Sequence, residues 1–138
     1  MKTAVLSLSL FAIVLSAQTV VAKSPKKVET AATPSVEGRW TVSKVEVKTT
    51  LPDGKVETAT MPDQAQHYFD INKGTLIYHV ADITRTKAYT ISGNDILTVE
   101  NAVKSKYHIE QISNKQVVLS MQEETPVGMA TYIYTCSK

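Results

Sequence analysis

From Gly38 to the end of the chain, apolar and polar residues alternate with a period of two. Outside the first two dozen residues, no stretch repeats apolar side chains at i, i+3, i+4 and i+7. Such alternation puts one set of side chains on each face of an extended strand. "GRWTVSKVEV" carries Trp40 and Val42 in one phase and Val45 and Val47 in the other, so the change at Ser43–Lys44 predicts a bulge or bend. "LPDG", Leu51 to Gly54, is a turn in which proline presets φ and glycine takes the left-handed position. "KVETATM" follows as a short polar strand ended by Pro62. "AQHYFDI" and "TLIYHVA" flank Asn72-Lys73-Gly74, which reads as a three-residue hairpin loop. That register sets Ile71 against Thr75, Phe69 against Ile77 and His67 against His79. "RTKAYTI", "ILTVE", "KSKYHIEQI", "QVVLSMQEE" and "MATYIYTC" complete the series, with turns at "SGND", "SNK" and "TPVG".

The pattern gives eight or nine strands joined by short turns. Their connections are too short for parallel crossovers, so neighbours pair antiparallel as a meander. Strand twist and the need to cover edges favour closure. The expected fold is an all-β, antiparallel, eight-stranded up-and-down barrel, with a two-sheet sandwich as the alternative.

The first residues change the picture of where the protein works. Lys2, the apolar run Ala4 to Ala17 and the small residues Val20 and Ala22 form the pattern of a cleavable signal peptide, residues 1–22. The run is short and rich in serine for a membrane span. Export to the periplasm or outside the cell is expected, with a mature chain starting near Lys23. "KSPKKVETAATPS", residues 23–35, has almost no large apolar side chain and reads as a disordered linker before a barrel domain at 36–138.

Charge and chemistry narrow the function class. The chain has 15 basic and 13 acidic residues, and loss of Lys2 leaves 14 against 13 with no basic stripe, which argues against a nucleic-acid partner. Cys136 is the single cysteine, so no internal disulfide forms; burial as a small apolar residue is the favoured reading over a reactive thiol. There is no Gly-x-Ser-x-Gly elbow and no glycine-rich phosphate loop. Glu123 and Glu124 are adjacent in a strand and point to opposite faces. The chain is therefore expected not to be an enzyme and to need no cofactor or resident metal. The expected His67–His79 pair has two readings, a packed cross-strand pair or a shared metal ion.

Gly38-Arg39-Trp40, at the head of the first strand after a loose segment, resembles the Gly-x-Trp motif of the lipocalins. "FDINKGTLIY", "YTISGNDILTV" and "YHIEQISNKQVVLSM" are similar to the short lipocalin-like domains of exported bacterial proteins. The likeness spans residues 36 to 136. It implies a compact barrel that takes a small apolar or amphipathic molecule at its mouth. Gly38 and Trp40 would form the structural floor: glycine turns the chain tightly, and the indole plugs the closed end with its N–H on a carbonyl. Larger lipocalins also have a disulfide, a C-terminal helix and a late-strand arginine stacked on the tryptophan. Here the only arginines are Arg39 and Arg85, neither in a late strand.

Strand alternation nominates Phe69, Ile77, Tyr107, Ile109, Leu119, Met121, Tyr132 and Tyr134 as ligand-lining residues. The same side chains suit a filled core, since small barrels are often plugged from within. A filled barrel favours a second reading: an exported protein-interaction module, an inhibitor or envelope assembly component, that uses the loops "TTLPDGK" and "EETPVGM".

Overall fold

The computed structural model describes residues 34–61 and 66–138. The expected signal peptide at 1–22 and all but the last two residues of the expected linker lie outside them. The described residues form nine strands: β1 (Gly38–Thr50), β2 (Val56–Met61), β3 (Tyr68–Asn72), β4 (Thr75–Val80), β5 (Ile83–Ser92), β6 (Asp95–Glu100), β7 (Val103–Ile112), β8 (Gln116–Thr125) and β9 (Gly128–Ser137). All pairs are antiparallel, and β9 returns to pair with β1, which closes the sheet. β2 and β3 lie one after the other along the same edge of β1, against Val45–Thr50 and Gly38–Thr41 respectively. The ring therefore has eight strand positions, and the expected barrel is the observed one. No helix among the described residues is long and apolar enough to cross a membrane.

The phase change in β1 is a bulge between Val42 and Lys44, where β1 slips against β9. One extra residue on one strand reverses the parity of everything after it. Trp40, Val42 and Val45 are consequently all buried, and Val47 packs against the same core. A straight strand would have sent Val45 and Val47 to the side of the wall opposite Trp40 and Val42.

The β3–β4 hairpin corrects one expected register. Asn72 pairs with Thr75, so the loop is two residues, Lys73-Gly74, not three. Both have positive φ, 46° and 83°, the combination of a type I′ turn whose twist matches that of the strands it joins. The slip of one residue sets Ile71 against Leu76 and Phe69 against Tyr78. Leu76 is thereby fully buried, while Ile77 turns to the outer face opposite Asp70 and Thr86. Register follows the larger apolar burial, because a slip of one exchanges the two faces of a strand.

The barrel has two unlike ends. The start of β1, the β3–β4, β5–β6 and β7–β8 turns and the end of β9 gather at one, called here the floor. The β1–β2, β4–β5, β6–β7 and β8–β9 turns gather at the other, the mouth. The fully buried core residues Trp40, Phe69, Ile71, Leu76, Ile96, Val117, Leu119 and Cys136 all belong to the floor half.

Candidate ligand-binding site

The floor is built around Trp40. Its Nε1–H donates to the Val36 carbonyl at 2.6 Å, which satisfies the one polar atom of a fully buried indole. Gly38 enters the strand at φ 123°, a conformation that side-chain-bearing residues rarely adopt. Its missing side chain has a second use. A Cβ there would lie 3.2 Å from Cε of Lys138. Lys138 follows β9 and lays its ammonium 4.3 Å from the centre of the Trp40 ring, while donating to the Glu37 carbonyl at 3.3 Å. A cation over an indole face is attracted by the ring quadrupole. Lys138 therefore covers one face of the tryptophan. The Glu37 carboxylate accepts from the Tyr89 hydroxyl at 3.2 Å and ties β5 to the same corner.

Above the floor lies a tier of rings. Phe69 meets Tyr78, Tyr107 and Tyr134 with centroids 5.1, 5.6 and 5.2 Å apart, the last two edge to face. His67 is buried in this tier, edge-on to Tyr78 at 5.3 Å and to Tyr134 at 6.0 Å. Tyr132 stacks on Tyr134 at 6.5 Å, one step closer to the mouth. Burial pushes the hydroxyls of Tyr78, Tyr107 and Tyr134 above the usual phenol range, so they remain neutral hydrogen-bonding groups in an apolar wall. The Cys136 thiol is pushed up to about 12 by burial alone, which makes it an inert core side chain.

Between this tier and β2 sits a pocket of about 170 Å³, lined by Val45, Met61, His67, Tyr78, Val80, Tyr132 and Tyr134. Its walls are mostly apolar, with the His67 imidazole and the tyrosine hydroxyls as their polar groups. A larger half-open depression of about 1340 Å³ runs along β5 to β9. Its lining alternates between inward residues (Thr98, Ser105, Tyr107) and outward ones (Leu97, Lys104, Lys106) of the same strands. Side chains of opposite parity lie on opposite faces of a sheet. The depression therefore wraps over the mouth rim, and only part of it is barrel interior.

The inward part of the mouth carries charge. Arg85 is paired with Tyr78 and Lys87 with Leu76, so both cations share the inner face. Glu100 lies on the same face of β6 as the buried Ile96 and Thr98. Its carboxylate is 3.6 Å from Arg85 and 3.8 Å from Lys87. The Lys87 side chain is only 12% exposed, against 58% for Arg85 at the rim. Thr98 is buried and donates to the Ser105 carbonyl at 3.3 Å.

Of the residues expected to line a ligand, Phe69, Tyr107, Leu119 and Tyr134 are buried inside, and Ile109, Met121 and Tyr132 pack partly buried against the same core. Phe69 and Leu119 belong to the filled floor half; Tyr134, Tyr132, Met121 and Tyr107 reach the open half. Ile77 faces outward and leaves the set. The expected histidine pair is not formed. His79 pairs with Tyr68 on the outer face, stacks on it at 4.8 Å and is 2.7 Å from the Thr84 hydroxyl, whereas His67 is inside. The barrel wall separates the two imidazoles, so they do not share an ion. Sequence reasoning missed Arg85, Lys87 and Glu100, although a signal was present: in "RTKAYTI" both cations share the phase of buried Tyr89.

No protein family, curated protein or solved structure matches the chain.

Proposed function

We propose that this protein is an exported, non-catalytic, lipocalin-like carrier that holds a small apolar or amphipathic molecule in the mouth half of its barrel. The observation that supports the reading is the contrast inside the barrel. The floor is filled by its own side chains, while Tyr78, Tyr132, Tyr134, Val45 and Met61 surround unfilled apolar space of about 170 Å³. This chamber shares Tyr78, Tyr132 and Tyr134 with the wider depression at the mouth, so an aromatic or short-chain molecule can enter it with its polar end reaching toward the rim. Native mass spectrometry of the protein purified from its own host tests this. A persistent adduct supports a carrier. A bare mass, together with no uptake of an environment-sensitive dye, counts against one.

A second reading draws on the rim. Val56, Ile83, Val103, Val127 and Met129 are apolar, between 42% and 65% exposed, and flank the turns at the mouth. The loops "TTLPDGK" and "EETPVGM" meet there, since Gly128 lies directly against the Thr50 carbonyl. Exposed apolar groups gathered at one end are a feature of contact surfaces. Replacement of Val56, Val127 and Met129 by serine would abolish capture of a protein partner and leave dye uptake unchanged, which separates the two readings.

A further inference from the structure

On the inner wall of the mouth, Arg85, Lys87 and Glu100 form one cluster beside the aromatic and aliphatic side chains of Tyr78, Tyr107, Met121 and Tyr132. A charge taken out of water is costly unless it is closely paired. Lys87 is mostly buried, yet its nearest carboxylate oxygen is 3.8 Å away, and Arg85 reaches the same oxygen only to 3.6 Å. Direct charge-assisted contacts close to about 2.7–2.9 Å. Glu100 is therefore shared by two cations, sits close to neither, and leaves one positive charge uncompensated. Glu123 shares the inner face further out on β8, opposite Ala130, is exposed, and makes no ion pair with either cation. Tyr107, whose hydroxyl feels both Arg85 and Glu100, supplies a neutral polar group beside them.

We propose that Arg85 and Lys87 anchor the anionic head group of an amphipathic ligand, a carboxylate or sulfonate, whose apolar body rests on Tyr78, Tyr132 and Met121. The proposal rests on the carrier reading and adds the ligand's charge. The head group slots between the two cations, gains the short contacts that Glu100 does not make, and brings the cluster to neutrality. The apolar body then covers Lys87 from the mouth side.

Two dyes of one skeleton test the proposal on the full folded protein: 8-anilinonaphthalene-1-sulfonate and the uncharged N-phenyl-1-naphthylamine. Fluorescence titration should show one-site binding of the sulfonate about tenfold or more tighter than the neutral dye, a factor within reach of one charge-assisted contact. Lys87→Met and Arg85→Met should each erase most of that preference while binding of the neutral dye stays constant. Glu100→Gln should change the sulfonate's affinity in the opposite direction, upward, because it removes the competing anion. Circular dichroism identifies any variant that fails to fold, and Glu100→Gln decides the matter if the methionine variants do fail. Equal binding of both dyes, or no gain with Glu100→Gln, overturns the anionic anchor and leaves the carrier standing. If neither dye binds, the carrier reading falls and the anchor with it.

Discussion

The floor and mouth of this barrel are cut from the same strands and are built on opposite principles. In β5, Tyr89 lies near the floor, buried and bonded to Glu37, while Arg85 and Lys87 stand on the same face a few residues toward the mouth. In β9, Cys136 is fully buried, Tyr134 nearly so, and Tyr132 only partly. The floor removes its side chains from water and satisfies its polar atoms internally, as Trp40 does with Val36. The mouth keeps ions and partly wetted rings. The difference teaches that alternation sets which face a residue takes, while its distance from the plugged end sets whether that face is core or site.

Substitution tests the contrast most sharply at its two extremes. Trp40→Ala should destabilise the protein by about 3–5 kcal/mol, because it empties the floor and orphans the Val36 carbonyl. Tyr132→Ala at the mouth should cost less than about 2 kcal/mol, since its ring is only partly buried. Urea unfolding of both variants measures this, and equal losses would break the division into floor and mouth.

Gly128→Ala comes next, at about 2–3 kcal/mol. Gly128 has φ 141°, and a Cβ there runs into the backbone of Thr50. A small effect in thermal melts would mean that the mouth turns yield far more readily than the floor.

The alkaline limb of stability reads the floor and ring tier chemically. Burial pushes the Cys136 thiol up to about 12 from an ordinary 9.0, and the hydroxyls of Tyr107 and Tyr134 are raised in the same direction. Below pH 9 these groups are protonated in both states, and their contribution is constant. Above pH 9 for the thiol, and above pH 10 for the two phenols, the unfolded chain releases protons that the folded chain retains, so stability falls as pH rises, by up to about 1.4 kcal/mol per pH unit for each group once it titrates in the unfolded chain. Urea midpoints that stay flat from pH 8 to 11 would show that the core is wetter than its packing implies. A thiol reagent should label Cys136 only as the protein unfolds.

The smallest effect concerns Lys138. Lys138→Met keeps the aliphatic cover over Trp40 and removes the cation, so a loss of about 0.5–1 kcal/mol is expected. No change at low ionic strength would mean that the stem, and not the charge, closes the floor.

Much of the architecture was legible along the chain because its causes are local. Alternation marks strands, and Pro52, Gly54 and Gly93 mark turns, since backbone preferences act within a few residues. The bulge at Ser43 showed as a change of phase between Val42 and Val45. The hairpin at Lys73-Gly74 was misjudged by one residue. Asn72 suits a loop as well as it suits a strand end, and the choice rests on whether Leu76 or Thr75 goes inside. That small error displaced Ile77 from the interior and paired two histidines that stand on opposite sides of the wall.

What the sequence determined by itself is the list of strands and their antiparallel order, both products of short-range sterics and of burial with a period of two. Only the tertiary structure decided which cation covers the indole and which charges face inward. Lys138 and Gly38 are a hundred residues apart in the chain and meet because β9 closes on β1. Arg85, Lys87 and Glu100 form one cluster because the β5–β6 pairing continues the inner face from Tyr89 toward the mouth. Ring closure converts distant sequence positions into neighbours, and electrostatic partnership depends on distance in space.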